Sequence, residues 1–202
     1  MMRDLPANIA QKLPAAATVF AEMGFDQARM EDVAVGCGIP KPTLYYHFGG
    51  KEEILAWLLE RLLRDLSSQV GAILDRDEPS RDRLTQVFTV YLQMFADHPD
   101  AARVLLSELG RITRIPELAD SIWAAFHEPL RKLLDEGHRD GTLRDLDPEA
   151  TASAVFGSVT MVGLHYVVTG QPLQVDHLAK QLDELLVGGL ATPTPPKKKG
   201  SR

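Results

Sequence analysis

MEDVAVGCGIPKPTLYYHF, residues 30–48, has the arithmetic of two short helices joined by a tight corner. Val33 and Ala34 share one side of the first helix, and Gly38 supplies a residue that takes a left-handed conformation without steric cost, so the chain can reverse within a few residues. Ile39 then plugs the angle between the helices against Val33, Leu44 and Phe48. Leu44 and Phe48 stand four residues apart on one face of the second helix, which turns Lys41, Thr43, Tyr45, Tyr46 and His47 to the other faces. Two consecutive tyrosines and a histidine cannot all point inward. The pattern is that of a helix-turn-helix whose second helix carries an outward edge of hydroxyl, imidazole and ammonium groups.

An edge of that kind fits the major groove of a duplex, where base edges and flanking phosphates accept hydrogen bonds. Lys41, Tyr45 and Tyr46 are expected at phosphates, together with Lys51 at the start of the following helix. Thr43, Tyr46 and His47 are the candidates for base edges, where sequence choice is made. Further upstream Pro14 begins or kinks a first helix, Ala15–Met23 follows with Val19 and Phe20 on its inner side, and Gly24 stops it. Three short helices therefore occupy about the first fifty residues.

From Lys51 the texture changes. Ile54, Leu55, Leu58, Leu59, Leu62, Leu63 and Leu66 repeat at three- and four-residue steps and mark one long amphipathic helix ending near 71–74. Breaks at Pro79, Pro99, Pro116, Gly141, Pro148 and Pro172 divide the remainder into five further helices, at about 80–97, 100–112, 116–137, 148–169 and 174–190. No stretch alternates long enough to make a strand, so the expected fold is all-α with about nine helices: a helix-turn-helix unit over residues 1–50, a larger helical unit over 51–190, and a disordered basic tail over 191–202.

Composition agrees with a globular chain: 202 residues, 45% apolar and 25% charged, are enough to bury a core. The formal charge of -6 excludes a uniformly basic nucleic-acid coat, and its distribution matters more than its sum. Residues 1–51 are balanced at five cations and five carboxylates, the tail adds Lys197, Lys198, Lys199 and Arg202, and the stretch between is strongly acidic. Any phosphate contact belongs to the N-terminal quarter. Cys37 is alone, which excludes an intrachain disulfide and suits a cytoplasmic location. The longest apolar-leaning run, 154–168, is interrupted by Ser158, Thr160 and His165 and is shorter than the ~20 residues a bilayer requires, so no membrane segment is expected.

The stretch 9–54, with its alanine-rich first helix, the Met23-Gly24-Phe25 corner, Met30-Glu31-Asp32-Val33-Ala34, and Thr43-Leu44-Tyr45-Tyr46-His47-Phe48 followed by Lys51-Glu52-Glu53, resembles the DNA-binding domain of the TetR family of bacterial transcriptional repressors. Two places depart from the family pattern. Ala28 replaces the hydroxyl found near the start of the second helix, leaving Arg29 beside it to supply charge at a phosphate. Pro40-Lys41-Pro42 replaces Ser-Lys-Gly, so Pro42 offers a ring to a thymine methyl where a glycine would let the backbone approach. The resemblance implies a homodimer that binds a palindromic double-stranded operator and releases it when a small molecule enters the larger domain. It also implies a dimer interface made of the last two helices, for which Ala154, Gly157, Ser158, Val162, Leu178, Leu182 and Leu185 are the candidates.

The effector site is expected among the large residues of the middle helices, Trp57, Phe88, Tyr91, Phe95, Trp123, Phe126, His127, Met161, His165 and Tyr166, which suit a mostly apolar ligand. No metal or cofactor is expected: His127 and Glu128 diverge on a helix, and no HExxH, GxSxG, CxxC or phosphate-loop pattern occurs. An enzyme is accordingly disfavoured. A regulator whose helix-turn-helix has become a protein-interaction module remains the alternative, motivated by the balanced local charge.

Overall fold

The computed structural model describes residues 5–112 and 114–190, so the expected basic tail lies outside the described residues. Among these residues there are helices and no strands. The N-terminal unit is α1 (Ala7–Lys12), a tightened 3₁₀ turn Leu13–Ala15, α2 (Ala16–Met23), α3 (Met30–Cys37) and α4 (Lys41–His47). Pro14 thus kinks a helix that begins seven residues earlier: it has no N–H to give, and the chain tightens locally to accommodate the ring. Leu13, Ala16, Phe20, Val33, Ile39, Leu44 and Phe48 form the closed centre of this unit. Gly38 has φ +59, the left-handed corner the sequence requires. Gly36 lets α3 lie directly on α2, since a Cβ there would meet Val19 Cγ2 at 2.4 Å.

The larger unit starts with α5 (Lys51–Leu74) and α6 (Ser80–Asp97), followed by α7 (Pro99–Ser107), α8 (Leu109–Ile112) and α9 (Pro116–Ile122). A π-helical turn, Trp123–His127, runs without a break into α10 (Glu128–Arg139). The chain ends in α11 (Pro148–Thr169), α12 (Val175–Leu182), a second π-helical turn Asp183–Val187, and α13 (Gly188–Leu190). The expected helix at 100–112 is therefore two helices, with a bend at Glu108. Central to the unit is α6, against which α5, α10, α11 and α12 all pack. Its buried face carries Leu84, Val87, Phe88, Tyr91, Leu92 and Phe95. The near-buried Arg83 braces three elements, giving hydrogen bonds to Leu74 O at 2.8 Å and Glu136 Oε2 at 2.6 Å.

Two features differ from the sequence expectation. First, α11 is 22 residues long with a mean hydropathy of 1.4 over its most apolar window, sufficient by length and composition to cross a bilayer. It is nevertheless seated on α6: Gly163 comes so close that a Cβ would sit 2.3 Å from the Phe95 ring. Only Ala152, Val155, Val159 and Gly163 are buried, and the opposite side is apolar but uncovered. Second, Leu178 and Leu182 do not share a face with Leu185. The first two are buried in the core, whereas Leu185 is 72% exposed and Val187 takes the next inward place. The π turn at 183–187 adds one residue to a helical turn, so the inward stripe slips by one position.

A candidate DNA interface and an effector core

The α3–α4 pair presents the edge the sequence requires. Leu44 and Phe48 are sealed inside, Tyr46 is 84% exposed and Tyr45 half exposed. Thr43 and His47 are half-buried beside them, and Tyr46 and His47 meet edge to face with centroids 5.0 Å apart. The outer side of α4 is thus a short row of a hydroxyl, two phenols and an imidazole held on a rigid base.

The cations near this row are not all turned toward solvent. Lys51 points back into the protein, and its ammonium donates to Phe25 O at 2.7 Å, Asp26 O at 2.9 Å and Ala28 O at 3.0 Å. It also lies over the Phe25 ring, 4.8 Å from the centroid. All three of its protons are thereby used to tie the start of α5 to the loop between α2 and α3, which corrects the expectation of a free phosphate ligand. Lys41 is bonded to Glu31 on α3 and lies near the Tyr45 ring. That pairing holds the Glu31 carboxyl below its ordinary value and raises the Lys41 ammonium. Arg29 is exposed, and its backbone N–H donates to Asp32 Oδ2 at 2.8 Å, so a carboxylate in the first turn does the capping that Ala28 cannot. At the start of α4 Pro42 has no N–H and Thr43 N–H is bonded to Pro40 O at 2.9 Å.

Besides Lys51, three further side-chain hydrogen bonds fasten the N-terminal unit to the larger one. Arg61 on α5 donates to Ala10 O at 2.8 Å, Thr18 on α2 donates to Asp100 Oδ2 at 2.8 Å, and Arg111 on α8 donates to Asp26 Oδ1 at 2.6 Å. The Arg111 guanidinium also covers the Phe25 ring at 4.9 Å and is held by Glu108 at 2.8 Å. Two cations of the larger unit, Lys51 at 4.8 Å and Arg111 at 4.9 Å, thus lie against the Phe25 ring.

The expected ligand residues separate into two groups. Trp57, Phe88, Tyr91, Phe95, Phe126 and His127 are buried together, with Tyr166 half-buried at the margin. The Tyr91 hydroxyl lies 3.1 Å from Ala125 O and 3.0 Å from Phe126 O in the π turn, and burial raises its pKa. His127 stacks on Trp123 at 3.7 Å, and its Nε2 lies 3.4 Å from both Ser153 Oγ and Glu149 Oε2. Its Nδ1 and the Trp57 Nε1 are buried without a partner among the described residues. By contrast, Met161 is 62% exposed, Trp123 49% exposed, and His165 exposed on the outer side of α11. Met161 and His165 do not belong with the core group, because an all-round apolar helix gives the sequence no periodicity from which to choose a face.

That outer side is one continuous stripe. Ala150, Ala154, Gly157, Met161, His165 and Val168 are exposed at three- and four-residue steps, with Ser158 and Val162 half-buried at its edge. A groove of about 360 Å³ separates it from the last helix and is bordered by Ala150, Ala154, Val155, Leu185, Leu186 and Gly189. Sequence reasoning missed Met161 and His165 as members of this stripe.

Comparison with known proteins agrees with this architecture. Residues 13–58 match the family model described as bacterial regulatory proteins, tetR family, and residues 77–190 match the tetracyclin repressor-like C-terminal domain. The transcriptional repressor KstR2 of Mycolicibacterium smegmatis is 26% identical over 198 residues, 94% of this chain and 96% of that protein. The solved ketosteroid transcriptional regulator KstR2 of Mycobacterium tuberculosis has a TM-score of 0.77 at 24% identity, covering 95% of this chain and 99% of its own. FadR from Bacillus subtilis, solved in complex with stearoyl-CoA, has a TM-score of 0.75 at 23% identity over 90% and 98% of the two chains. These proteins are transcriptional regulators. With both of its parts matched, this chain belongs to the TetR family of bacterial transcriptional regulators.

Proposed function

We propose that the protein is a cytoplasmic, ligand-released repressor that binds a palindromic operator as a homodimer. The outward row on α4 carries this reading: a helix with Leu44 and Phe48 sealed and Tyr45 and Tyr46 exposed is built to enter a major groove. Thr43, Tyr46 and His47 read base edges, Tyr45 and Arg29 contact flanking phosphates, and Pro42 touches a thymine methyl. Lys41 serves a phosphate by exchanging its bond to Glu31 for one to DNA.

The second subunit docks on the exposed stripe of α11 together with Leu185. Small residues there allow close helix approach, and the stripe supplies apolar area that a lone subunit would leave in water. Ser153, Ser158, Thr160 and His165 along the helix suit a protein partner better than hydrocarbon. The dimer must then hold its two α4 helices about one duplex turn apart, ~34–36 Å.

The effector is a lipid-like molecule, of the fatty acyl thioester or steroid kind, entering among Phe88, Tyr91, Phe95 and Phe126. The support is the apolar, aromatic character of this core, the stranded His127 Nδ1 at its edge, and the stearoyl-CoA bound by the B. subtilis FadR. An occupant would displace the π turn latched by Tyr91, and α7 and α8 would carry the movement to Thr18 and Asp26. A coupling of ~1–3 kcal/mol would change operator affinity about 5- to 150-fold.

Selection of genomic fragments with purified protein, followed by release with stearoyl-CoA, tests the proposal. A palindrome should emerge, its binding should weaken with salt, and Thr43→Ala or His47→Ala should alter base preference. Binding indifferent to salt and to both substitutions would reject it.

A further inference from the structure

Between the two units lies a cleft of about 290 Å³ that the effector core does not use. One wall is α2 with the preceding 3₁₀ turn, the other is α5 and the junction of α6 with α7. Ala17, Leu58 and Leu62 form an apolar floor, each still reached by solvent at 7%. Asp65, Asp97 and Asp100 stand around the opening, with His98 beside them.

The charge balance of the opening decides what it would accept. Arg61 is the sole guanidinium in the lining; its Nη1 donates to Ala10 O at 2.8 Å and its plane lies over the Trp57 ring at 5.6 Å, so it keeps its charge, pairs with none of the three aspartates, and leaves the lining with two negative charges in surplus. Asp100 accepts from Thr18, and Asp97 accepts from Gln93 Nε2 at 2.8 Å, so both keep their negative charge uncompensated by a cation. The Asp65 carboxylate has no hydrogen-bond or ion-pair partner among the described residues, and it rises from the same α5 face as Leu58 and Leu62. An apolar floor beneath unneutralised carboxylates is complementary to a molecule with an apolar body and a positive head.

We propose that this cleft is a second small-molecule site, which binds an organic cation with an apolar body and senses the spacing of the two units. Because its walls belong to different units, the affinity of any occupant depends on their separation. The same separation sets where α4 lies, so occupancy and operator binding are linked, and by reciprocity each changes the other. Occupancy itself does not depend on the operator reading, so the two ideas fail separately.

Full-length protein titrated with benzyltrimethylammonium, 2-phenylethanol and phenylacetate, by calorimetry and amide NMR, provides the test. The cation should bind with shifts at Ala17, Thr18 and Ala101, and more tightly than the neutral and anionic probes by about fivefold, the size that two half-exposed ion pairs give. The exposed double variant D65N/D97N should keep its melting temperature and lose this preference. Stearoyl-CoA should not compete for the cleft: at saturation it should change the probe's affinity by a finite factor and leave its binding saturable. No saturable binding, equal binding of the three probes, or a preference that survives D65N/D97N would overturn the site. Unaltered operator affinity at saturating cation would overturn the linkage.

Discussion

Replacing Lys51 by Met separates a clamp from a phosphate ligand. The wild-type ammonium makes three hydrogen bonds to backbone carbonyls, at 2.7, 2.9 and 3.0 Å, and covers the Phe25 ring. Hydrogen bonds to a charged group are worth ~1.5–3 kcal/mol each when buried, but this side chain is only half-buried and the freed carbonyls of Asp26 and Ala28 regain some water. A net loss of about 2–3 kcal/mol is the reasonable expectation, since Met retains the aliphatic packing and removes only the charge. For a chain of this size that corresponds to roughly 5–10 °C in melting temperature. The α2–α3 loop should loosen and operator affinity should fall, because Phe25 and the start of α3 lose a tether. The salt dependence distinguishes the roles. A phosphate contact removed from DNA lowers the slope of log affinity against log salt by ~0.9, whereas a lost internal clamp leaves the slope as it was. Calorimetric melting and fluorescence anisotropy across a salt series measure both quantities. An unchanged melting temperature together with a slope reduced by about one would refute the assignment of Lys51 to the interior.

Other substitutions probe the remaining elements. Gly163→Ala places a Cβ 2.3 Å from the Phe95 ring and should cost about 1–3 kcal/mol in thermal or urea unfolding; a neutral result would contradict the close approach of α11 to α6. Leu185→Glu, on an exposed site, should leave the monomer folded and shift sedimentation from dimer to monomer. Persistence of the dimer would remove the 183–187 turn from the interface. The Cys37 thiol is pushed up to about 11 by burial from an ordinary value of 9.0. Its folded pKa is raised, so the stability it contributes is complete below pH 9 and is lost as pH rises toward 11. The stability difference between wild type and Cys37→Ala should therefore shrink over that window, and a difference independent of pH would show the thiol to be accessible to solvent.

The helix-turn-helix was legible because its determinants are local. Four-residue spacing of Leu44 and Phe48, a glycine at the left-handed corner, and Ile39 as plug fix the two helices with no information from the rest of the chain. The same locality made Tyr45 and Tyr46 readable as outward groups, and their exposure in the fold agrees with that reading. The amphipathic pattern of α5 and the proline breaks likewise placed the helices of the larger unit to within a few residues.

Other properties required the fold, for identifiable physical reasons. A lysine's sequence position says nothing about where its flexible four-carbon stem will turn, and only packing brought three carbonyls within reach of Lys51 and Glu31 within reach of Lys41. The apolar character of α11 on every side hid its inner and outer faces until Gly163 was seated on Phe95. A π turn at 183–187 broke the 3.6-residue period, sending Leu178 and Leu182 inward and Leu185 outward. The interdomain cleft exists only where α2 meets α5 and α7, so residues distant in the chain assemble it. Local periodicity chose the helices; long-range contact chose which faces and which charges they leave free.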